Sequence, residues 1–112
     1  MNIEHKEWNG VAVLTLNGRL DGNTSSGLES RFLQLAEQGA SRYVFNLGGL
    51  EYVSSAGLRS LLLAAKKVKT MRGKLALAHM NEHVKEVFDM SGFSTIFTIC
   101  ATEQEALDIA AE

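Results

Sequence analysis

The chain opens with two short extended runs and then changes to helical spacing. Asn2 to Glu7 is the first run and Val11 to Leu16 the second, in which Val11, Val13 and Thr15 alternate with Ala12, Leu14 and Leu16. Asn9-Gly10 between them is a strong hairpin signal, since both central residues of the favoured two-residue turn need positive φ. The polar stretch Asp21-Gly22-Asn23-Thr24-Ser25-Ser26 follows, and Leu28, Phe32 and Leu35 then recur at helical spacing. A helix is predicted to begin between Asn23 and Ser26. Ser26 with Glu29 has the form of a capping box, while Asn23 or Thr24 offers a cap one turn earlier. Gly39 closes this helix.

Arg42 to Leu47 reads as a short buried strand and Gly48 to Tyr52 as a loop. The next helix has the clearest stripe: Leu58, Leu61, Leu62, Ala65 and Val68 share a face. It begins near Ser54 or Ser55 and is predicted to end at Gly73. Lys66, Lys67 and Lys69 stand where cations meet the negative end of the helix dipole. Lys74 to His79 is the following strand, and Asn81 caps a helix carrying Val84, Val87 and Phe88 that ends at Gly92. Thr95 to Ile99 reads as a last strand, and Thr102 with Glu105 caps a helix through Leu107 and Ala110. The order β-β-α-β-α-β-α-β-α predicts an α/β fold, one domain over residues 1–112. Crossover helices imply a mixed, mainly parallel sheet beyond the opening hairpin.

Composition narrows the function. A chain of 112 residues with 46% hydrophobic and 21% charged residues has the make-up of a folded domain. Net charge is −2 and no segment forms the basic footprint of a nucleic-acid binder. Cys100 is the sole cysteine, so no internal disulfide can form, and the start MNIEHKEWNG lacks the marks of a secretory signal. The longest apolar runs, such as Leu61 to Ala65, fall far short of the ~20 residues of a membrane span. The expectation is a cytoplasmic protein without direct nucleic-acid binding or membrane insertion.

Two loops carry candidate chemistry. Asp21-Gly22-Asn23-Thr24 leads into the first helix, and Tyr52-Val53-Ser54-Ser55-Ala56-Gly57-Leu58 into the second. In parallel α/β sheets such loops sit at the carboxyl ends of strands, where helix amino termini point free N–H groups outward. Serine is a preferred cap and a first-turn glycine allows close packing, which accounts for Ser54, Ser55 and Gly57 structurally. The same position suits a phosphate acceptor, because dipole and N–H groups accommodate the added anion. Asp21, followed by Gly22 and Asn23, is equally a turn residue.

Catalysis finds no support. His5, His79 and His83 belong to no recognisable triad, and Val53 stands where the Gly-x-Ser-x-Gly nucleophile elbow needs glycine. His79 and His83 are separated by a strand end and a cap, and no carboxylate or cysteine set completes a metal site. Gly48-Gly49 lacks the Lys-Ser/Thr of a phosphate-binding loop. No cofactor is expected, and the chain is read as a non-enzyme.

Val53-Ser54-Ser55-Ala56-Gly57-Leu58-Arg59, together with Gly18-Arg19-Leu20-Asp21 and the element order, resembles a STAS domain of the anti-sigma factor antagonist family over essentially the whole chain. In that family an Asp-Ser-Ser/Ala-Gly-Leu motif opens the second helix, and its first serine is phosphorylated by a partner anti-sigma factor that is a serine kinase. The matching serine is Ser55, with Ser54 the second choice. The resemblance implies a partner surface of Asp21, Gly22, Asn23, Thr24, Ser54, Ala56, Gly57, Leu58 and Arg59, a resetting phosphatase of the PP2C type, and a monomer or weak dimer. It also implies that phosphorylation switches binding off. Two residues depart from the pattern: Ser54 replaces the frequent Asp before the serine, and Asn46 replaces an Asp at a strand end, which removes a carboxylate from a possible kinase contact. Stand-alone STAS domains also resemble non-catalytic subunits of lipid-transport ABC complexes and ligand-sensing signalling modules, and these are the alternatives.

Overall fold

Asn9 and Gly10 take φ values of 48° and 79° and close the two opening strands into an antiparallel hairpin. In this computed structural model, which describes residues 1–112, the strands are β1 Asn2–Trp8, β2 Val11–Leu20, β3 Arg42–Val53, β4 Lys74–Ala78 and β5 Thr98–Cys100. The helices are α1 Ser25–Glu37, α2 Ser55–Thr70, α3 Glu82–Ser91 and α4 Glu103–Ala111, with a 3-10 turn at Phe93–Thr95. The sheet order is β1-β2-β3-β4-β5, parallel throughout except for β1 against β2.

Strands laid down successively in one direction, with crossovers of one hand, place every crossover helix on the same face. Accordingly Leu28 and Phe32 of α1, Leu58, Leu61 and Val68 of α2, and Val84 and Phe88 of α3 form one large core with Leu14, Leu16, Phe45 and Leu47 of the sheet. Only α4, which follows the last strand, covers the other face. Its Ala106, Leu107 and Ala110 pack on Val11, Val13, Val44, Ala76, Ala78 and Cys100. Small residues on this face let a single nine-residue helix cover it. Within the large core, the rings of Phe32 and Tyr43 lie 4.8 Å apart, and the Tyr43 hydroxyl donates to the Ala40 carbonyl at 2.7 Å. Burial pushes the Tyr43 phenol up to about 12.

Several boundaries differ from the sequence reading. Gly48 to Tyr52 is not a loop: β3 runs on to Val53, paired with β2, which itself extends to Leu20. The two glycines are tolerated because the backbones crowd here, and a Cβ at Gly49 would collide with the Asn17 side chain. The register between β2 and β3 shifts at this point, as at a β-bulge. The last strand begins at Thr98 rather than Thr95, after the 3-10 turn.

Helix ends also differ in detail. Glu29 does not close a capping box with Ser26; its carboxylate accepts the Ser60 hydroxyl at 2.6 Å and ties α1 to α2. Gly39, with φ 98°, does end α1, and the Ala40 N–H donates to the Leu35 carbonyl. At the end of α2 the left-handed residue is Arg72, φ 57°, while Gly73 is small because a Cβ there would strike Ser41. On α2 itself Ser60 and Ala64 are buried, while Leu62 and Ala65 are half-buried.

Candidate functional site

The carboxyl ends of β2 and β3 are bound together at Leu20 and Val53, and both singled-out loops emerge from this pair. The Ser54 N–H donates to the Leu20 carbonyl at 2.9 Å. A Cβ on Gly57 would lie 2.6 Å from that same carbonyl oxygen, so glycine is what allows α2 to start against β2. Distant stretches of sequence thereby become one surface: Asp21 to Thr24 on one side, Ser54 to Arg59 on the other.

The two serines separate by role. Ser54 is extended, φ −93° and ψ 175°, and its hydroxyl accepts the Gly57 N–H at 3.2 Å as the helix cap. Ser55, the first helical residue, is exposed and its hydroxyl makes no hydrogen bond within the chain. No acidic residue occupies the first turn of α2. A free hydroxyl thus stands at the positive end of a 16-residue helix, with Ala56 beside it offering no bulk. Gly57 and Leu58 point inward and are buried, whereas Arg59 is exposed.

Asp21 performs the turn role that its neighbours suggested. Its carboxylate accepts the Asn23 N–H at 2.9 Å, and the Thr24 hydroxyl accepts the Asp21 N–H at 2.9 Å while donating to the Arg19 carbonyl at 2.8 Å. Thr24 therefore precedes α1 without its side chain capping it. Gly22 and Asn23 are exposed at the loop tip.

The sequence reading passed over Arg19 and Tyr52 as a pair. The guanidinium lies 4.3 Å from the ring centre and 3.7 Å from Asp21, fixing a cation between the two loops. It also missed a groove between α2 and α3 beside Ser55, lined by Leu58, His83, Val87 and Met90, the last 80% exposed. The i, i+4, i+7 spacing of His83, Val87 and Met90 was the available signal.

Asn46 lies apart from this surface, on the sheet face covered by α4. Its side-chain amide donates to Glu103 at 3.1 Å and its carbonyl oxygen accepts the Gly48 N–H at 2.9 Å. Lys6 also reaches Glu103, at 3.1 Å, and the Glu103 N–H donates to His79 Nε2 at 3.0 Å. Burial pushes the Glu103 carboxyl up, but the Asn46 and Lys6 hydrogen bonds, with the Lys6 charge, outweigh it and hold the group below its ordinary value. His79 and His83 go to separate places, and no three His, Cys, Asp or Glu side chains cluster as metal ligands. No helix is long and apolar enough to cross a membrane.

The two loops thus form one surface that carries an exposed hydroxyl with no hydrogen bond within the chain. The STAS domain model matches residues 2–106, and the chain belongs to that family. Over 106 residues it is 35% identical to BtrV of Bordetella bronchiseptica, a candidate anti-sigma factor antagonist, covering 95% of this chain and 91% of that one. A candidate anti-sigma factor antagonist from Thermotoga maritima superposes with a TM-score of 0.93 at 21% identity, over 98% of this chain and 95% of that one. The Bacillus cell fate determinant SpoIIAA in its phosphorylated form gives a TM-score of 0.74 at 23% identity, over 96% and 97%. The non-enzyme reading agrees with these relatives, which are regulatory proteins.

Proposed function

We propose that this chain is an anti-sigma factor antagonist that docks on an anti-sigma factor serine kinase and is released when Ser55 is phosphorylated. The observation that carries the proposal is the division of labour between the serines: Ser54 is spent on the cap, and Ser55 is exposed and unbonded. The docking surface comprises the exposed or half-buried Asp21, Gly22, Asn23, Thr24, Ser54, Ala56 and Arg59, with the buried Gly57 and Leu58 supporting it from beneath, and is extended by the groove at Val87 and Met90.

The Ser55 hydroxyl attacks the γ-phosphorus of ATP in the partner's site, gives up its proton there, and ADP leaves. The product carries about −1.5 to −2 charge and three acceptor oxygens. In the free chain water and the α2 dipole accommodate them. In the complex the phosphate is stripped of water against the partner, which costs several kcal/mol unless it is paired. Each ~1.4 kcal/mol weakens binding tenfold, so exclusion needs no refolding. A cytoplasmic phosphatase of the PP2C type restores the free hydroxyl and the binding form.

Incubation with the cognate kinase and ATP, followed by phosphopeptide mass spectrometry, tests the assignment. Phosphate is expected on Ser55, lost in Ser55→Ala and retained in Ser54→Ala. Incorporation that persists unchanged in Ser55→Ala refutes the site. Recovery of lipid-transporter subunits instead of a kinase in a pull-down of the chain from its own cells refutes the role.

A further inference from the structure

At the opposite end of α2, its last turns meet the amino-terminal ends of β4 and β5 around an open cavity of about 390 Å³. Cavities of that size hold small organic ligands. Its apolar lining comes from Val68 of α2, Leu75 of β4, Ile96 and Phe97 before β5, and Ile109 of α4. Ile96 is 53% exposed and Ile109 37% exposed, so two branched apolar side chains border the hollow with little of this chain over them.

Cations outnumber acids around the hollow, where the acid in reach of a lining residue is Glu112 against Lys74. Lys66, Lys67, Lys69, Arg72 and Lys74 place five of the 11 cations between residues 66 and 74, and none of the 13 acids. The α2 carboxyl terminus presents only about half a negative charge, so it offsets a small part of this excess. Two of these cations, Lys69 and Lys74, line the cavity, and no Asp or Glu does. Lys74 is engaged by Glu112, its ammonium donating to the main-chain oxygen at 3.1 Å and lying 3.9 Å from the side-chain carboxylate. The Lys69 ammonium makes no hydrogen bond or ion pair in the chain, in contrast to that of Lys74.

The geometry points to a binding site for a single-chain carboxylate amphiphile, its tail among Val68, Leu75, Ile96, Phe97 and Ile109 and its carboxylate on Lys69 Nζ. A concave hollow suits a small tail inserted from solvent, whereas a membrane surface is met by apolar groups that protrude. Thr98 adds a hydroxyl to the lining for a second hydrogen bond to the head group. The site is independent of Ser55: at 1.5 Å per residue, Lys69 lies about 20 Å along α2 from the proposed phosphorylation site.

The test is a titration of the ¹⁵N-labelled full chain with dodecanoate, below its micellar concentration, followed by amide shifts. Saturable shifts are expected at Val68, Leu75, Ile96, Thr98 and Ile109, with Ser55 unmoved. Lys69→Glu should weaken binding at least about tenfold through loss of a charge-assisted contact, and Ile96→Asp, an exposed position where the fold survives, should abolish saturation. Dodecyltrimethylammonium should not saturate the site. Four results would each overturn the inference: no saturation by dodecanoate, equal affinity in Lys69→Glu, the same shifts with inorganic phosphate alone, or binding to anionic phospholipid vesicles without saturation by dodecanoate.

Discussion

The amino termini of α2 and α4 start from the same physics and end in opposite states. Both helices begin with a hydroxyl cap, Ser54 on the Gly57 N–H and Thr102 on the Glu105 N–H, each at 3.2 Å. At α4 the first turn carries Glu103 and Glu105, and Glu103 is gripped by Asn46 and Lys6 while its N–H is taken by His79. That end is filled by the chain's own groups and locks α4 onto the sheet. At α2 the first turn has no acid, and Ser55 is left open to solvent. A helix amino terminus becomes receptive to an external anion when its own sequence withholds one.

The comparison can be broken most sharply at Ser55. Ser55→Ala should abolish phosphate incorporation by the cognate kinase while changing unfolding free energy by no more than about 0.5 kcal/mol, as expected of an exposed position. Ser55→Asp should lower affinity for that kinase in calorimetry by about tenfold or more. Equal affinity of the aspartate and wild-type chains would remove the electrostatic account of the switch.

Next in size is Gly57→Ala. Its Cβ would sit 2.6 Å from the Leu20 carbonyl oxygen, so the start of α2 must move off β2. A loss of about 1–3 kcal/mol in denaturant unfolding is expected. A neutral result would mean that the close approach of helix and strand does not hold the loops together.

The caps should cost less and cost alike. Ser54→Ala and Thr102→Ala are each expected to lose about 1 kcal/mol. Phosphorylation of Ser55 should survive the first of these. If it did not, the assignment of separate roles to the two serines would fail.

The smallest effects are in pH dependence. The Glu103 carboxyl is held below its ordinary value of 4.5, so its contribution to stability is complete above that value. It fades as pH falls through the lower value of the folded state. Glu103→Gln should therefore flatten the acid limb of the stability curve. Tyr43 has the opposite sign: with its phenol raised from 10 to about 12, its contribution is complete below pH 10 and fades as pH rises towards 12. Tyr43→Phe should flatten the alkaline limb in the same measurement.

Local signals were legible because local backbone chemistry decides them. Asn9-Gly10 fixed the hairpin, Asn81 capped α3 on the Val84 N–H, and Gly92 ended it at φ 79°. The same chemistry misled where a distant segment had the stronger claim. Gly48 and Gly49 read as a loop, yet β2 recruits them into β3, and the strand partner lies some thirty residues earlier. Glu29 had a cap within reach and took the Ser60 hydroxyl on α2 instead.

By itself, the amino-acid sequence determined the order of elements, most of the helix ends and the two polar loops that lead into α1 and α2, because turn, cap and periodicity are properties of a few neighbouring residues. The tertiary structure alone decided which serine remains free, since that depends on how α2 seats against Leu20. It also decided that Asn46 faces α4 rather than the loops before α1 and α2, and that His83, Val87 and Met90 join the surface beside Ser55. Such outcomes rest on contacts between residues far apart in the chain, for which adjacency in sequence carries no signal.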